Sequence, residues 1–239
     1  MKKRFCSAII ILFLIFISIS CNKVTGIKRL QELEEGVSNP NTEAELKEAI
    51  RKYEKRVDDI IIAEGRIGIW YKILGSRYMD QKMYEKALKA FQSALEYYPE
   101  NQNLFYQTGL AASLTAKNSL DFELTGTDIE KQRYFSLAVS AYNRALEIDP
   151  KHSKAVYALS VLYIFELNRP ADAIPILERV TESEKKPIDH LFLLGAAYSM
   201  TGESEKAVSV YERIIEVSSS AENKAKAESN IREIKAGGR

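Results

Sequence analysis

The amino-acid sequence predicts an all-α protein built from stacked helical hairpins. Ala, Leu, Glu, Lys and Tyr dominate the composition, and glycine is sparse at 11 of 239 residues, which favours helix. Apolar residues recur at steps of three and four, the spacing of one helical face. A pattern of Gly, Ala and aromatic residues also returns four times between residues 68 and 220. Because a single hairpin cannot bury both faces, at least three must stack to form a continuous core.

The first 20 residues have the features of an export signal. Three basic residues at positions 2–4 precede an uncharged stretch of 12 residues at positions 8–19. A membrane-spanning helix needs about 20 apolar residues, whereas the core of a signal peptide needs about 7–15. We therefore expect residues 1–20 to be a cleaved signal rather than a permanent membrane span.

Cys21 directly follows this segment and the small residue Ser20. A small residue followed by Cys resembles the lipobox of bacterial lipoproteins. Ser18 stands where that motif usually has Leu, a looser pattern similar to that of spirochaete lipoproteins. The resemblance implies that Cys21 begins the mature chain, carries acyl chains such as palmitate, and anchors the protein to a membrane facing the periplasm. The alternative is an ordinary cleaved signal with Cys21 near the cleavage site by chance.

Size and charge limit what the mature chain can be. Removal of residues 1–20 would leave 219 residues and change the net charge from +1 to −2, since three basic residues and no acidic ones are lost. A chain of this length can bury about 70% of its unfolded surface. Its near-neutral charge gives no support for a nucleic-acid partner. Cys6 lies in the signal, so no internal disulfide is possible and packing alone must stabilise the fold.

Four repeat units follow, at 68–101, 102–151, 152–186 and 188–220. The first unit contains Tyr71, Leu74, Gly75, Tyr78, Ala87, Phe91, Ala94 and Pro99. The second contains Phe105, Gly109, Ala138, Tyr142, Ala145 and Pro150, the third Leu159, Ser160, Tyr163, Ala173, Leu177 and Val180, and the fourth Leu191, Leu194, Gly195, Tyr198, Gly202, Ala207, Tyr211 and Ile214. These residues and spacings resemble the tetratricopeptide repeat, which implies a right-handed superhelical solenoid.

The repeat residues have a physical explanation. Gly75, Gly109 and Gly195 lack a side chain, so we expect the second helix of each hairpin to approach closely there. The large aromatic residues of the second helices fill the space beside the small ones. Pro99 and Pro150 cannot continue a helix and end their units. The third unit departs from the pattern with one extra residue near Pro170.

The flanking segments fit the same architecture. Residues 21–41 are poor in large apolar residues and are predicted to be a tether. Residues 42–66 are predicted to be an N-terminal capping helix, introduced by a Thr42–Glu45 capping box. Its apolar residues step by four and three, a spacing that leaves a coiled-coil dimer open as an alternative. They are Leu46, Ile50, Tyr53, Val57 and Ile60. Residues 221–239 are predicted to form a C-terminal capping helix and tail.

An insert at 117–132 lengthens the second repeat unit. Thr127 and Glu130 form a further capping box, so we expect the second helix of that unit to begin near Asp128. The insert is either a loop extension without a role or a lip that contacts a partner, since loops on a rigid scaffold often carry function.

The sequence carries no catalytic pattern. His152 and His190 are the only histidines, and a zinc site needs several ligands at close spacing. Phosphate-binding loops and nucleophile motifs are also missing. We therefore expect no enzyme activity, no metal and no cofactor. His152 is interpreted as a helix-start residue and His190 as a neighbour of an apolar helix face.

In tetratricopeptide folds the first helix of each repeat lines a concave groove, and the resemblance implies which residues do so here. In the first unit they are mostly polar, and in the other three many are apolar or aromatic. The predicted partner-binding residues are Lys72, Tyr106, Leu110, Tyr157, Val161, Ile164, Phe165, Phe192 and Met200. An exposed apolar patch of this kind usually marks a binding site. The alternative is a groove filled by the chain itself.

The sequence therefore predicts a membrane-anchored adaptor of the cell envelope that binds a protein or peptide partner in an apolar groove. Two alternatives stay open. One is an accessory lipoprotein of outer-membrane protein assembly, similar to tetratricopeptide lipoproteins of that machine. The other is a carrier of a small hydrophobic ligand linked to a solute transporter.

Overall fold

The computed structural model describes residues 42–118 and 127–237, and the regular structure in these ranges is helical. The helices are α1 Glu43–Asp80, α2 Tyr84–Tyr97, α3 Gln102–Asn118, α4 Thr127–Ile148, α5 Ser153–Val161, α6 Pro170–Ser183, α7 Ile188–Met200, α8 Ser204–Val217 and α9 Ala221–Gly237. A π-helical turn, Leu162–Glu166, follows α5. The all-α prediction is confirmed. The predicted signal, tether and acylation site at Cys21 lie outside the described residues.

Contacts divide the chain into two compact units, Met1–Ile62 and Ala63–Arg239. Helix α1 runs through this boundary, whereas the sequence predicted a capping helix over 42–66 and a separate repeat helix from residue 68. No proline interrupts residues 43–80, which form a single helix. Its start agrees with the prediction, because the Thr42 N–H donates to Glu45 Oε2 (3.1 Å) and the Glu45 N–H to Thr42 Oγ1 (3.3 Å).

Successive helices pack side by side as hairpins. In chain order the first hairpin is α1–α2, the second α3–α4, the third α5–α6 with the π-turn, and the fourth α7–α8. Helix α2 packs on α3, α3 on α4, α4 on α5, α6 on α7 and α7 on α8. The first helices of adjacent hairpins also touch, since α5 contacts both α3 and α7. The small residue predicted on each second helix is fully buried. These residues are Ala87, Ala138, Ala173 and Ala207.

Close packing of glycine against an aromatic ring joins the two helices of three hairpins. A methyl group added at Gly75 would lie 2.5 Å from the Phe91 ring, and one at Gly195 would lie 2.6 Å from the ring of Tyr211. A methyl group added at Gly109 would lie 2.6 Å from the ring of Tyr142. Real Cβ atoms do not approach neighbours this closely, so the prediction of a close helix approach at the glycines is confirmed.

The third hairpin is built differently at the same position. Ser160 replaces the glycine and Leu177 replaces the aromatic residue, and both are fully buried. One extra residue is absorbed by the π-turn, in which the Leu167 N–H donates to the Leu162 carbonyl over 3.0 Å. This bond spans five residues rather than four, the mark of a π-turn. The extra residue predicted near Pro170 thus lies inside the first helix, a few residues earlier.

Helix α4 begins at Thr127, one residue before the predicted start at Asp128. The part of the insert that precedes this helix, residues 119–126, lies outside the described part of the chain, as does the side chain of Thr127. At the other end α9 packs against α8 and buries Ala227. Ile231 and Ile234 join the same small apolar cluster as Leu191 and Tyr211. Across residues 42–118 and 127–237, no helix combines the length and apolar character needed to cross a membrane.

Candidate binding pocket

A pocket of about 390 Å³ lies between the second and third hairpins. Helix α3 supplies one wall, and α5 and the π-turn supply the opposite wall. One further residue comes from α4 and two come from α7. The lining consists of Tyr106, Leu110, Ser113, Leu114, Lys117, Tyr142, Ser153, Lys154, Tyr157, Ala158, Val161, Leu162, Glu166, Asp189 and His190. Four of the predicted groove residues therefore come together here, namely Tyr106, Leu110, Tyr157 and Val161.

Aromatic rings form much of the pocket wall. The Tyr106 ring lies 6.2 Å from the Tyr142 ring and 5.5 Å from the His152 ring. Tyr157 meets His190 edge-on at 6.1 Å. Tyr142 is buried, with its hydroxyl 3.5 Å from Ser113 Oγ. Burial raises the pKa of Tyr142 well above its ordinary value and raises that of Tyr106 as well. Both phenols therefore stay neutral at physiological pH, which keeps this wall uncharged.

The two histidines hold structural positions beside the pocket. His152 Nδ1 accepts a hydrogen bond from the Ala155 N–H (3.1 Å), and its Nε2–H donates to Asn103 Oδ1 (3.0 Å). His152 therefore caps α5, and its interpretation as a helix-start residue is confirmed. The buried His190 donates from Nε2 to the Ser153 carbonyl (3.2 Å), which ties α7 to the start of α5. Its Nδ1 lies 3.4 Å from Glu184 Oε2.

Charged groups at the pocket edge balance one another. Lys117 Nζ lies 2.5 Å from Glu166 Oε1, and this ion pair links α3 to the π-turn across one end of the pocket. Lys154 and Asp189 contribute one charge of each sign elsewhere on the lining. The charges of the two carboxylates and the two ammonium groups cancel, so the pocket has no net charge that would attract an ion. Its chemistry suits an uncharged, apolar group.

Two neighbouring residues of the π-turn, both predicted to face the groove, differ sharply in their exposure. Phe165 is 58% exposed, whereas Ile164 is 1% exposed and belongs to the core. The prediction that Ile164 faces the groove is wrong. It assumed the α-helical period, and the extra residue of the π-turn rotates Ile164 towards the core. The same rotation directs Glu166 to Lys117, a pair that sequence periodicity did not indicate.

The remaining predicted residues are spread over other surfaces. Phe192 is half-buried, and its ring lies 6.1 Å from the ring of Tyr211. Lys226 Nζ of α9 lies 5.0 Å from the centre of the Phe192 ring. Met200 is exposed and lines a second pocket, of about 550 Å³, together with residues of α8 and α9. Lys72 is exposed on α1. The predicted continuous groove is therefore resolved into one apolar pocket and separate surface residues.

Sequence reasoning missed several lining residues. The repeat pattern places Tyr142 in the packing between two helices, and this buried ring also borders the pocket. His190 was interpreted only as a neighbour of Leu191, but its ring reaches α5. Tyr142 lies beside Tyr106 of its own hairpin, and His190 lies beside Tyr157 of the preceding hairpin, contacts that repeat spacing alone does not indicate. Groups of three or more His, Cys, Asp and Glu side chains arranged for a metal are not found in 42–118 and 127–237.

Comparison with known proteins identifies the repeats. Residues 69–101 and 162–222 match models of the tetratricopeptide repeat. A "TPR repeat-containing protein" of the spirochaete Borreliella burgdorferi is 24% identical over 222 residues, which cover 90% of this chain and 93% of the relative. The repeat resemblance is thereby confirmed, as is a relative of spirochaetal origin.

Solved structures show the same fold. MamA from Desulfovibrio magneticus RS-1, residues 41 to the end, superimposes with a TM-score of 0.52 at 17% identity, over 71% of this chain and 93% of that one. YrrB, described as a TPR protein with an unusual peptide-binding site, superimposes with a TM-score of 0.53 at 19% identity, over 70% of this chain and 75% of that one. At these identities the likeness establishes the fold alone.

Proposed function

From the premise that this chain carries tetratricopeptide repeats, we propose that it is a non-catalytic adaptor that binds a protein or peptide partner in the pocket between its second and third hairpins. The observation that carries the proposal is the exposure of Tyr157. This aromatic side chain is 44% exposed although it lies in the middle of the repeat stack, and it faces an uncharged, apolar pocket. Had the chain filled its own groove, Tyr157 would be buried.

The pocket suits a side-chain anchor of a partner. Aromatic residues that are surrounded by apolar neighbours and can be fully desolvated carry most of the binding energy in protein interfaces. Tyr106 and Tyr157 are such residues, and Leu110 supplies apolar surface in the same pocket. YrrB, which is similar in fold, has a peptide-binding site, a precedent for peptide binding by stacked helical hairpins.

Membrane anchoring forms the second part of the proposal. Acylation of Cys21 would hold the adaptor at a membrane of the cell envelope, facing the periplasm, because two or more acyl chains give stable anchoring. Cells fed an alkyne analogue of palmitate test this part. We expect label on the wild-type protein and none on Cys21→Ser, which would leave the membrane fraction. Equal labelling of Cys21→Ser and the wild type would contradict membrane anchoring through Cys21.

Panning a displayed library of random peptides against the purified protein tests the pocket. Peptides that are enriched would then be measured by fluorescence anisotropy. We expect Tyr157→Ala to weaken binding about 30-fold, since loss of an interface anchor costs about 2 kcal/mol. Trp70→Ala is the matched control, because Trp70 is an exposed aromatic residue outside the pocket. Enriched peptides that bind Tyr157→Ala as tightly as the wild type would contradict the proposal.

The size of the pocket favours one alternative function, a carrier of a small hydrophobic ligand. Its volume of about 390 Å³ lies within the range of roughly 300–1,000 Å³ that is typical of small-molecule sites. Native mass spectrometry of the purified protein separates the two functions. A bound mass of small-molecule size that is lost in Tyr157→Ala would favour the carrier, and unliganded protein that binds enriched peptides would favour the adaptor.

A further inference from the structure

An apolar stripe runs along the N-terminal part of α1. Its large aliphatic members are each between 47% and 56% exposed. They follow one another at steps of four and three residues, together with the partly buried Tyr53. The stripe, called here the α1 stripe, consists of Leu46, Ile50, Tyr53, Val57 and Ile60. This spacing is that of positions a and d in a coiled coil, the seam along which two helices pack.

The charges beside the α1 stripe favour a helix as its partner over a membrane surface. Residues 43–62 carry six acidic and five basic side chains. A helix that lies on a membrane is typically rich in Lys and Arg on its polar face, whereas here acidic side chains outnumber the basic ones. Mixed charges joined by pairs such as Lys47–Glu43 (2.6 Å) and Arg51–Glu48 (2.7 Å) are typical of a solvated coiled-coil surface.

Charge complementarity points to a second copy of the same helix in antiparallel orientation. On one side of the stripe, Lys47 and Glu54 occupy equivalent positions one heptad apart. In an antiparallel pair centred between Ile50 and Tyr53, Lys47 of each copy faces Glu54 of the second copy. The exposed Lys47–Glu43 pair contributes little and can exchange for this contact.

The parallel arrangement is disfavoured by Glu64. This residue occupies the next seam position after Ile60. In a parallel pair in register, Glu64 of both copies would meet in the seam, where like charges repel. In the antiparallel pair Glu64 lies beyond the start of the helix of the second copy and stays in water.

We propose that two copies of the chain associate through residues 43–60 of α1 as an antiparallel helix pair. Leu46 packs against Val57 of the second copy, and Ile50 packs against Tyr53 of the second copy. Such an isologous contact closes on itself and gives a dimer rather than a filament. The dimer is independent of the binding pocket, which lies between the second and third hairpins.

Cysteine crosslinking of the full-length chain tests the register. In a background with Cys6→Ser and Cys21→Ser, single-cysteine Leu46→Cys and Val57→Cys proteins are mixed and oxidised. We expect the mixed 46–57 disulfide to form first, with little 46–46 or 57–57 product. Dominant same-site products would overturn the antiparallel pair, because they require a parallel one.

Sedimentation velocity of the full-length chain in mild detergent tests the association itself. Ile50→Glu would place a charge in the seam of each copy and weaken dimerisation by about 100-fold or more. Ile62→Glu is the matched control, since Ile62 is equally exposed but lies on the opposite face of the helix. Equal effects of the two substitutions, or a monomeric wild type at every concentration, would overturn the proposal.

Charge reversal separates a second copy from other occupants. Lys47→Glu removes two attractive pairs and creates two repulsive ones, which we expect to weaken dimerisation about tenfold. Lys47→Glu with Glu54→Lys would restore it. Failure of the double variant to restore the dimer would overturn the proposed pairing. Binding of the wild type to anionic phosphatidylglycerol vesicles that is lost in Ile50→Glu would instead assign the stripe to a membrane.

Discussion

The third and fourth hairpins solve the same packing problem in different ways. In the fourth, Gly195 lies directly under the Tyr211 ring, and the first helix is regular. In the third, the fully buried Ser160 and Leu177 take the places of the glycine and the ring, and a π-turn begins at Leu162, in the first helix of that hairpin. We infer that leucine, which is smaller than a tyrosine ring, leaves space for the Cβ of Ser160 and so relaxes the requirement for glycine. The two hairpins show that the small residue and the ring opposite it change together.

The irregular hairpin also supplies one of the two walls of the pocket. Tyr157, Val161, Leu162 and Glu166 all come from its first helix and π-turn. A π-turn adds one residue to a helix and is frequently found at functional sites. Here it rotates Ile164 into the core and brings Glu166 to Lys117. We infer that the departure from the regular repeat shapes the pocket wall.

The largest expected effect tests the rotation at the π-turn. Ile164→Ala removes a fully buried side chain, and we expect it to lower the free energy of unfolding by about 2–4 kcal/mol. Phe165→Ala, one residue away and exposed, is expected to change it by less than about 0.5 kcal/mol. Urea unfolding followed by circular dichroism measures both. Equal effects would mean that the helix keeps its α-helical register through residue 164.

The next effect tests the pairing of glycine and ring in the fourth hairpin. Gly195→Ala pushes a methyl group into the Tyr211 ring, and overpacking of about 1–3 kcal/mol outweighs a helix-propensity gain of about 1 kcal/mol. We expect a net loss of up to about 2 kcal/mol. In a Tyr211→Leu background, which copies the third hairpin, the same substitution should cost much less. A double-mutant cycle by urea unfolding measures this coupling, and strict additivity would contradict the account.

A smaller effect of opposite sign is expected in the third hairpin. Ser160 Oγ is buried and has no hydrogen-bond partner within residues 42–118 and 127–237, and an unsatisfied buried hydroxyl destabilises the native state. Ser160→Ala keeps the Cβ that Leu177 accommodates and removes the hydroxyl. We expect a gain of about 1 kcal/mol in the free energy of unfolding. A loss of stability in the thermal transition would show that the hydroxyl is satisfied by a group such as water.

The smallest expected effect concerns the ion pair at the pocket end. Lys117 and Glu166 are both partly solvated, and such pairs contribute about 0.2–1 kcal/mol. We therefore expect Glu166→Gln to lower the free energy of unfolding by about 0.5 kcal/mol. Measurement at low and high salt checks the cause, because screening should abolish the difference. A difference that persists in high salt would assign Glu166 a role other than charge pairing.

Much of the fold could be predicted from particular residues. The glycines at 75, 109 and 195 and the fully buried alanines indicate hairpin contacts, and the Thr42–Glu45 box marks the start of α1. The π-turn could not be placed, because one extra residue can be accommodated in a loop or in either helix, and packing decides between them. Consequently Ile164 was assigned to the wrong face.

The site was predicted only in part. Tyr106, Leu110, Tyr157 and Val161 follow from repeat positions and do share one pocket. Phe192 has an equivalent repeat position, but Lys226 and the ring of Tyr211 lie against it, because no fifth hairpin follows the fourth among the described residues. Side chains that reach across from a neighbouring hairpin, such as His190, depend on the angle between hairpins, which spacing along the sequence does not encode.

Photocrosslinking in intact cells tests the central claim most directly. The photoreactive residue p-benzoylphenylalanine would replace Tyr157 in the pocket or Trp70 on α1, and the crosslinked products would be compared. We predict a discrete adduct with one peptide or protein at position 157 that is reduced by Leu110→Ala in the same chain. Adducts at position 70 with none at position 157, or an adduct that Leu110→Ala leaves unchanged, would contradict binding in the pocket between the second and third hairpins.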